Sequence, residues 1–197
     1  MFKKYIIVIL LASLCSPLLA QQNKSAFERY GEFNLARLSG ETNAALDMGL
    51  RLMDSLSDLP AKSRIIYFNS MGRLYEDIEK PQKAIPFYEK VAEAEPNYYV
   101  VHRALGFIYI TPANELYSQL LATKPADTAY VRLKTDYRAA ALKAVKHLEV
   151  AQACDPDDDT LIIIKTLYKN IGDDAALAGL DERLKKLKKN CVDLLTE

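Results

Sequence analysis

The fold is decided by the stretch Ile65–Tyr98, which reads IIYFNSMGRLYEDIEKPQKAIPFYEKVAEAEPNY. Gly72 is followed three residues later by Tyr75, and the same pair recurs 34 positions further on as Gly106 and Tyr109. A 34-residue period marked by a small and an aromatic residue is typical of repeated helix–turn–helix units. Apolar residues also recur at three- and four-residue spacing, as amphipathic helices require. The sequence therefore predicts an all-α fold with essentially no sheet.

The second half of this stretch repeats as well. Ala84, Tyr88 and Pro96 stand four and eight residues apart. The same spacing recurs further along the chain in Ala144, Leu148 and Pro156. Two antiparallel helices approach closely only where a side chain is small, so we expect glycine and alanine at the crossing and large side chains around it. A proline after the second helix fits the turn to the next unit, because proline cannot continue a helix.

At these positions the chain resembles the tetratricopeptide repeat family. The similarity is best over Ile65–Tyr98, where Phe68 stands at the place that the family often gives to tryptophan. The resemblance implies a right-handed helical solenoid of about three to four helix–turn–helix units. Such solenoids usually hold another molecule on a concave surface. We therefore expect a protein–protein interaction module or scaffold, with no cofactor, rather than an enzyme.

We expect a single domain over residues 21–197. In chain order, its units are a degenerate hairpin, a well-marked repeat, a repeat with an insertion and a degenerate repeat, at residues 25–59, 65–98, 99–157 and 158–190. The distance from Ala84 to Ala144 is 60 residues instead of 34, so 26 residues are inserted. The insertion lies at about residues 110–137.

The insertion predicts an elongated helical hairpin. Thr111-Pro112 has the form of an N-cap followed by proline at the first helical position, so we expect a helix that kinks at Thr111 and continues to about Ala122. A turn at residues 124–127 then leads into a long helix that ends near Cys154. This layout resembles exported Bacteroidetes tetratricopeptide proteins with an elongated hairpin.

The aromatic side chains of the predicted hairpin leave its role open. They are Tyr117, Tyr130 and Tyr137. The insertion is either a neutral lengthening or an arm that contacts a partner, since projecting aromatic side chains must be buried by something. The second interpretation allows an alternative function, as a structural subunit of a self-associating or envelope-associated assembly that docks through the arm.

In this repeat geometry the first helix of each unit lines the concave surface. The resemblance therefore places the candidate partner-binding residues at Asn69, Arg73, Glu76, Arg103, Phe107 and Ile110. Arg73 and Arg103 would bind a carboxylate of a partner peptide through forked hydrogen bonds, and Phe107 would pack against an apolar side chain. The alternative is that both arginines pair with acidic residues of their own chain. The family's set of residues that clamps a peptide carboxyl terminus is not reproduced here, so we do not expect that specificity.

Residues 1–20 have the features of a secretory signal peptide. Lys3 and Lys4 precede an apolar run, and Ala20 supplies a small residue at the expected cleavage site. The run is too short for a comfortable membrane span. The glutamine after this site resembles that of exported Bacteroidetes proteins, so we expect a periplasmic location. Lipid attachment at Cys15 is the rival, but the bulky Leu14 before it argues against that signal.

Cleavage after position 20 would leave two cysteines, Cys154 and Cys191. An oxidising compartment permits a disulfide between them. In a stacked array both would lie near the ends of neighbouring helices whose axes are about 10 Å apart, whereas a disulfide needs Cα atoms closer than about 7 Å. A bridge and two small core residues therefore both stay open.

Charge and residue types favour neither nucleic-acid binding nor catalysis. The chain has 26 basic and 26 acidic residues, so its net charge gives no general attraction to nucleic acid or to an anionic membrane. His102 and His147 lie on different predicted helices without a zinc-binding pattern, and we expect His102 on the surface near a helix start. Asp155, Asp157 and Asp159 lack the glycine and glutamate of a calcium loop. We expect them to cap the next helix instead.

Overall fold

The computed structural model of the chain describes residues 24–193 and residue 195. The predicted signal peptide at residues 1–20, including Cys15, lies outside the described residues. Within them the regular structure is helical, with one isolated parallel bridge between Tyr98 and Val192. The prediction of an all-α fold is thus confirmed for the part of the chain that is described.

The chain forms two compact units that meet between Pro60 and Ala61. Leu59 adopts an extended conformation after the preceding helical turn. Pro60 follows, and proline lacks the N–H that would extend a helical hydrogen-bond pattern. Among the described residues, those up to Pro60 belong to the first unit and those from Ala61 onward belong to the second.

The first unit is a helical hairpin, as predicted for residues 25–59. Its elements are helix α1, helix α2 and a short 3-10 helix, at Ala26–Leu38, Thr42–Leu52 and Met53–Asp58. The Ser25 hydroxyl accepts a hydrogen bond from the Glu28 N–H, and the Glu28 carboxylate accepts one from the Ser25 N–H, so a capping box begins α1. The turn between the helices needs a φ of 76°, which Gly40 adopts without strain.

The second unit contains seven α-helices within the described residues. The first four, α3 to α6, span Ala61–Asp77, Pro81–Ala94, Tyr99–Ala122 and Thr128–Cys154. The others are α7, α8 and α9, followed by a 3-10 helix, at Asp158–Asn170, Asp174–Ala178, Leu180–Leu187 and Lys188–Asn190. Consecutive helices pack against each other, most extensively α5 against α6, and α9 also packs on α6. The predicted repeats at residues 65–98 and 99–157 correspond to the hairpins α3–α4 and α5–α6.

Two glycines set the close approach of these paired helices. A Cβ atom added at Gly72 in α3 would lie 2.3 Å from Cε1 of Tyr88 in α4. A Cβ atom added at Gly106 in α5 would lie 2.5 Å from Cδ2 of Leu148 in α6. Neither distance leaves room for a methyl group. The predicted packing of these glycines against large side chains is confirmed.

The insertion lengthens α5 and α6 into one hairpin. Helix α5 is continuous from Tyr99 to Ala122 with Pro112 in its interior, so no new helix begins after Thr111. Proline at this position removes a single backbone hydrogen bond, and the extensive packing of α5 on α6 compensates for that loss. The predicted end of the helix at Ala122 is confirmed.

Aspartate side chains begin the next two helices. Asp127 caps α6 by accepting a hydrogen bond from the Ala129 N–H at 2.8 Å. Asp157 caps α7 by accepting hydrogen bonds from the Thr160 N–H at 2.8 Å and from its hydroxyl at 2.7 Å. The bond from the hydroxyl, followed by the bond from the N–H, lowers the pKa of Asp157 because both favour the ionised carboxylate. The capping role predicted for this acidic turn is confirmed at Asp157.

Candidate partner-binding surface

The middle of α3 and the start of α5 bring three polar side chains together. The Tyr98 phenol lies beside the Asn69 side chain and within electrostatic reach of Arg73. Tyr98 is buried, and burial is the main cause that raises its pKa. The Asn69 side-chain oxygen is also buried and accepts no hydrogen bond from the described residues. Arg73 is exposed and forms no ion pair with them, so an accessible cation lies close to a buried amide and a phenol.

Two of the predicted surface residues are held by partners in their own chain. Glu76 accepts a hydrogen bond from the Tyr88 hydroxyl. Arg103 forms a salt bridge to the Asp155 carboxylate at 2.7 Å and donates to the Asp155 carbonyl at 2.7 Å. We expected the Arg103 guanidinium to be free to bind a partner. It is instead paired with an acidic residue of its own chain, which is the alternative that the sequence left open. The cause is the turn from α6 to α7, which places Asp155 beside α5.

The remaining two predicted surface residues lie on α5 beyond Arg103. Phe107 is 43% exposed, and Ile110 is half-buried. Residues three and four apart share one face of a helix, so Phe107 and Ile110 continue the face that begins at Arg103. Of the six predicted residues, Arg73 and Phe107 are the exposed ones. We call the faces of α3 and α5 that carry them the candidate surface.

The predicted arm covers part of its own aromatic surface. Tyr117 of α5 packs on Tyr137 of α6 with ring centroids 4.9 Å apart, and Tyr137 is 2% exposed. Tyr130 is half-buried. Tyr137 therefore needs no partner protein to bury it, because α5 and α6 bring the two rings into contact, tilted by 34°. The exposed apolar side chains near the far end of the hairpin are Leu121 and Val131, at 69% and 70%.

A buried histidine pair lies between α5 and α6. His102 and His147 are 5% and 7% exposed, and their Nδ1 atoms are 3.1 Å apart. Burial, with nearby positive charge adding to it, lowers the pKa of each to about 4. Both rings are therefore neutral at pH 7, and one Nδ1–H donates to the other Nδ1.

The burial of His102 corrects the expectation of a surface residue near a helix start. His102 lies one helical turn before Gly106, and His147 directly precedes Leu148. The contact between Gly106 and Leu148 draws both rings into the same interface. The sequence predicts the contact between Gly106 and Leu148. The positions of His102 and His147 beside these two residues are therefore the sequence signal for the buried histidine pair.

A polar cluster joins α4 to the same interface. The Tyr109 hydroxyl donates to the Glu89 carboxylate at 2.5 Å, and the Lys143 ammonium donates to that carboxylate at 3.2 Å. The same ammonium lies 4.0 Å from the centroid of the Tyr109 ring. The hydrogen bond from Tyr109 is the main cause that lowers the pKa of Glu89. The three side chains satisfy one another and link α4 to the α5–α6 hairpin.

The chain beyond the last helical turn returns to the start of α5. Cys154 at the end of α6 and Cys191 form a disulfide with Cα atoms 5.5 Å apart. The Val192 N–H donates to the Asn97 carbonyl at 2.9 Å, next to the bridge between Val192 and Tyr98. Cys191 follows the final 3-10 helix instead of lying on a helix parallel to α6, so it can approach Cys154 closely. We call residues 191–193 the C-terminal tail.

Among residues 24–193 and 195, no helix has the length and apolar character needed to cross a membrane. The same residues include no group of three or more His, Cys, Asp or Glu side chains that could hold a metal ion. Comparison with known protein families, with curated proteins and with solved structures gave no match to this chain.

Proposed function

We propose that this protein is an interaction module that captures an extended segment of a partner protein on the candidate surface. The observation that carries the proposal is the exposed Arg73, which has no ion pair among the described residues and lies close to Asn69 and Tyr98. Phe107 adds a large apolar side chain that is left partly in water. A partner segment with an acidic and an apolar side chain would satisfy both groups.

The repeated helix contacts support a tetratricopeptide-like solenoid as the scaffold. Gly72 and Gly106 are 34 residues apart, and each allows a large side chain of the following helix to approach closely. Equivalent contacts from glycines 34 residues apart indicate that α3–α4 and α5–α6 are versions of one structural unit, the second of them lengthened by the insertion. Solenoids built from such units present extended surfaces that bind proteins and peptides.

We also propose that the mature protein acts outside the cytoplasm, in a periplasm. The proposal rests on the features of residues 1–20 and on the disulfide between Cys154 and Cys191. Structural disulfides persist in oxidising compartments and are rare in the reducing cytosol. Fractionation of cells that express the tagged chain checks the location, and recovery in the cytosolic fraction would contradict it.

Charge reversal at Arg73 tests the capture of a partner. We expect the Arg73→Glu variant to recover at least about tenfold less partner from the native envelope than the unaltered chain, because a charge-assisted hydrogen bond contributes about 1.5–3 kcal/mol. Quantitative mass spectrometry of the co-purified proteins measures the difference. Arg103 is unsuitable for this test, because its reversal would also break the pairing with Asp155.

Lys83→Glu is the matched control for this experiment. Lys83 is an exposed cation on α4, a helix that carries none of the six predicted binding residues, and its reversal changes the net charge by the same amount. We expect this variant to recover the partner normally. Equal recovery by the Arg73→Glu and Lys83→Glu variants would contradict the proposed surface.

Assembly through the α5–α6 hairpin is the second candidate function. The exposed Leu121 and Val131 near the end of the hairpin favour it, since large apolar side chains in water often mark interfaces. Light scattering of the purified chain distinguishes the two functions. A stable oligomer that the Val131→Asp variant converts to a monomer would support assembly, whereas a monomer over a wide concentration range would support the capture of a partner.

A further inference from the structure

The C-terminal tail is joined to the rest of the second unit by a disulfide and by sparse backbone pairing. Among the described residues, its backbone hydrogen bond to another element is the one from the Val192 N–H to the Asn97 carbonyl, at 2.9 Å. Such a bond contributes about 0.5–1.5 kcal/mol net, whereas ordering the backbone costs about 1–2 kcal/mol per residue. Backbone pairing alone therefore does not fix three ordered residues. The disulfide between Cys154 and Cys191 decides where the tail lies.

The tail covers the backbone at one end of the candidate surface. Val192 pairs in parallel with Tyr98, the residue that precedes α5. The phenol of Tyr98 in turn lies beside Asn69 and near Arg73. An extended segment that paired with the backbone at Asn97 and Tyr98 and reached Arg73 would need the Asn97 carbonyl as a hydrogen-bond acceptor. It would therefore compete with the Val192 N–H, which already donates to that carbonyl.

We propose that the tail occupies, within the same chain, the backbone edge at Asn97 and Tyr98 on which an extended partner segment docks, and that thiol–disulfide exchange opens this edge. The inference rests on the proposed function and adds to it a binding mode and a form of control. The partner segment would add as a short parallel strand, and contacts of its side chains would supply the affinity that backbone pairing alone lacks. Its acidic side chain would then lie within reach of Arg73.

The chemistry of opening requires a dithiol as reductant. One thiolate of the dithiol attacks a sulfur of the disulfide between Cys154 and Cys191, which forms a mixed disulfide and releases the other cysteine as a thiolate. The second thiol of the reductant then displaces the bound cysteine. The dithiol leaves as a disulfide, and both protein cysteines become thiols after protonation. Cys154 and Cys191 are both partly exposed, so a reductant can approach the bond.

Hydrogen exchange at the Val192 amide tests the release of the tail. In the oxidised chain this amide is hydrogen-bonded and should exchange slowly. Addition of a small dithiol should speed its exchange at least tenfold, while amides within α5 and α6 keep their protection and circular dichroism keeps its helical signal. Unchanged exchange at Val192, with both thiols shown by titration to be free, would overturn the proposal.

A peptide probe tests the docking edge itself. The probe is a synthetic peptide of residues 188–197 with Cys191→Ser, and its binding is followed by the NMR shifts of the Asn97 and Tyr98 amides. We expect at least tenfold tighter binding to the full chain with Cys154→Ser and Cys191→Ser than to the oxidised chain. That variant also serves as the control, since a dithiol should leave its affinity unchanged. Equal affinity for the variant and the oxidised chain would overturn the proposal.

These outcomes separate the inference from the proposed function. If Arg73→Glu abolishes partner recovery but the probe binds the oxidised chain and the cysteine variant equally, capture stands and control by the tail is wrong. If the probe binds as expected but Arg73→Glu leaves partner recovery unchanged, the edge opens as inferred and the proposed capture through Arg73 fails. Each of the two experiments therefore decides one of the two claims.

Discussion

Gly106 lies where a single methyl group would overlap a buried leucine. A Cβ atom there would meet Cδ2 of Leu148 at 2.5 Å and its backbone nitrogen at 3.3 Å, and Leu148 is fully buried. We expect Gly106→Ala to lower the free energy of unfolding by about 1–3 kcal/mol, the usual cost of overpacking. Urea denaturation followed by circular dichroism measures the change.

Gly31 provides the control for this substitution. It lies within α1, and an added Cβ atom would have nothing within 4 Å. Gly31→Ala should therefore raise stability by roughly 0.5–1 kcal/mol, because alanine favours the helix more than glycine does. A Gly106→Ala protein that matches Gly31→Ala in stability would show that α5 and α6 do not approach as closely as described.

The buried histidine pair makes stability depend on pH. The pKa of His102 and of His147 is about 4 in the folded chain, below the usual 6.5. Between these values the unfolded chain binds more protons than the folded one, so the stabilisation is complete above pH 6.5 and is lost as the pH falls towards 4. The expected slope is up to about 1.4 kcal/mol per pH unit for each proton. Urea midpoints at pH 7, 6 and 5 measure it.

A variant with both histidines replaced isolates their contribution. In His102→Leu, His147→Leu the titrating groups are gone, while the nearby Glu89 and Lys143 keep their charges. The free energy of unfolding of this variant should fall less steeply between pH 7 and 5 than that of the unaltered chain. Parallel curves for the two proteins would contradict the assigned role of the pair.

Helices α6, α7 and α9 are joined by one buried carboxylate. Glu149 of α6 accepts a hydrogen bond from the Tyr168 hydroxyl of α7 at 2.7 Å. The Arg183 guanidinium of α9 donates to both oxygens of the same carboxylate, at 2.7 and 3.1 Å. The Glu149 side chain is 9% exposed and that of Arg183 is 35% exposed. The strength of this link therefore depends on Arg183 as the counter-ion of a buried charge.

We expect Arg183→Leu to destabilise the chain by roughly 2 kcal/mol, because it leaves the Glu149 carboxylate buried without its counter-ion. Solvent around the partly exposed guanidinium keeps the cost below that of a fully buried pair. The double variant Glu149→Leu, Arg183→Leu should regain most of this loss, since no charge is then left unpaired. A double variant that loses as much as the two single variants together would contradict the argument.

The elements that the sequence predicts are those whose signals are local. The end of α5 at Ala122 follows from turn residues, and the start of α6 follows from Asp127, whose side chain bonds to an N–H two residues away. The pairing of α3 with α4 follows from the repeated small and large residues. Thr111-Pro112 has the form of a helix start, yet the helix continues through Pro112 to Ala122, as expected.

The contacts that the sequence leaves open join residues far apart in the chain. Arg103 and Asp155 are 52 residues apart, and nothing local to either residue signals their salt bridge. The disulfide likewise depends on the path of the chain after the last helix, which brings Cys191 back to Cys154. For the candidate surface, the sequence therefore supports a hypothesis about helix faces, but it does not indicate which side chains on them are already paired within the chain.

At the scale of the whole molecule, the second unit is an array of packed helices whose C-terminal tail is bound by a disulfide to the end of its longest helix. Of the six predicted binding residues, Arg73 and Phe107 are the exposed ones. Internal partners take up Glu76 and Arg103. We therefore propose that Arg73 and Phe107 are the two points at which a partner is captured.

Site-specific crosslinking tests this claim most directly. A benzophenone-bearing amino acid is placed at position 107 in the tagged chain, and at position 83 of α4 in a control. After irradiation in the native envelope, mass spectrometry identifies the crosslinked proteins. We expect one partner, joined through a short extended segment, from position 107 and not from position 83. The absence of a crosslinked protein, or the same set of proteins from both positions, would contradict it.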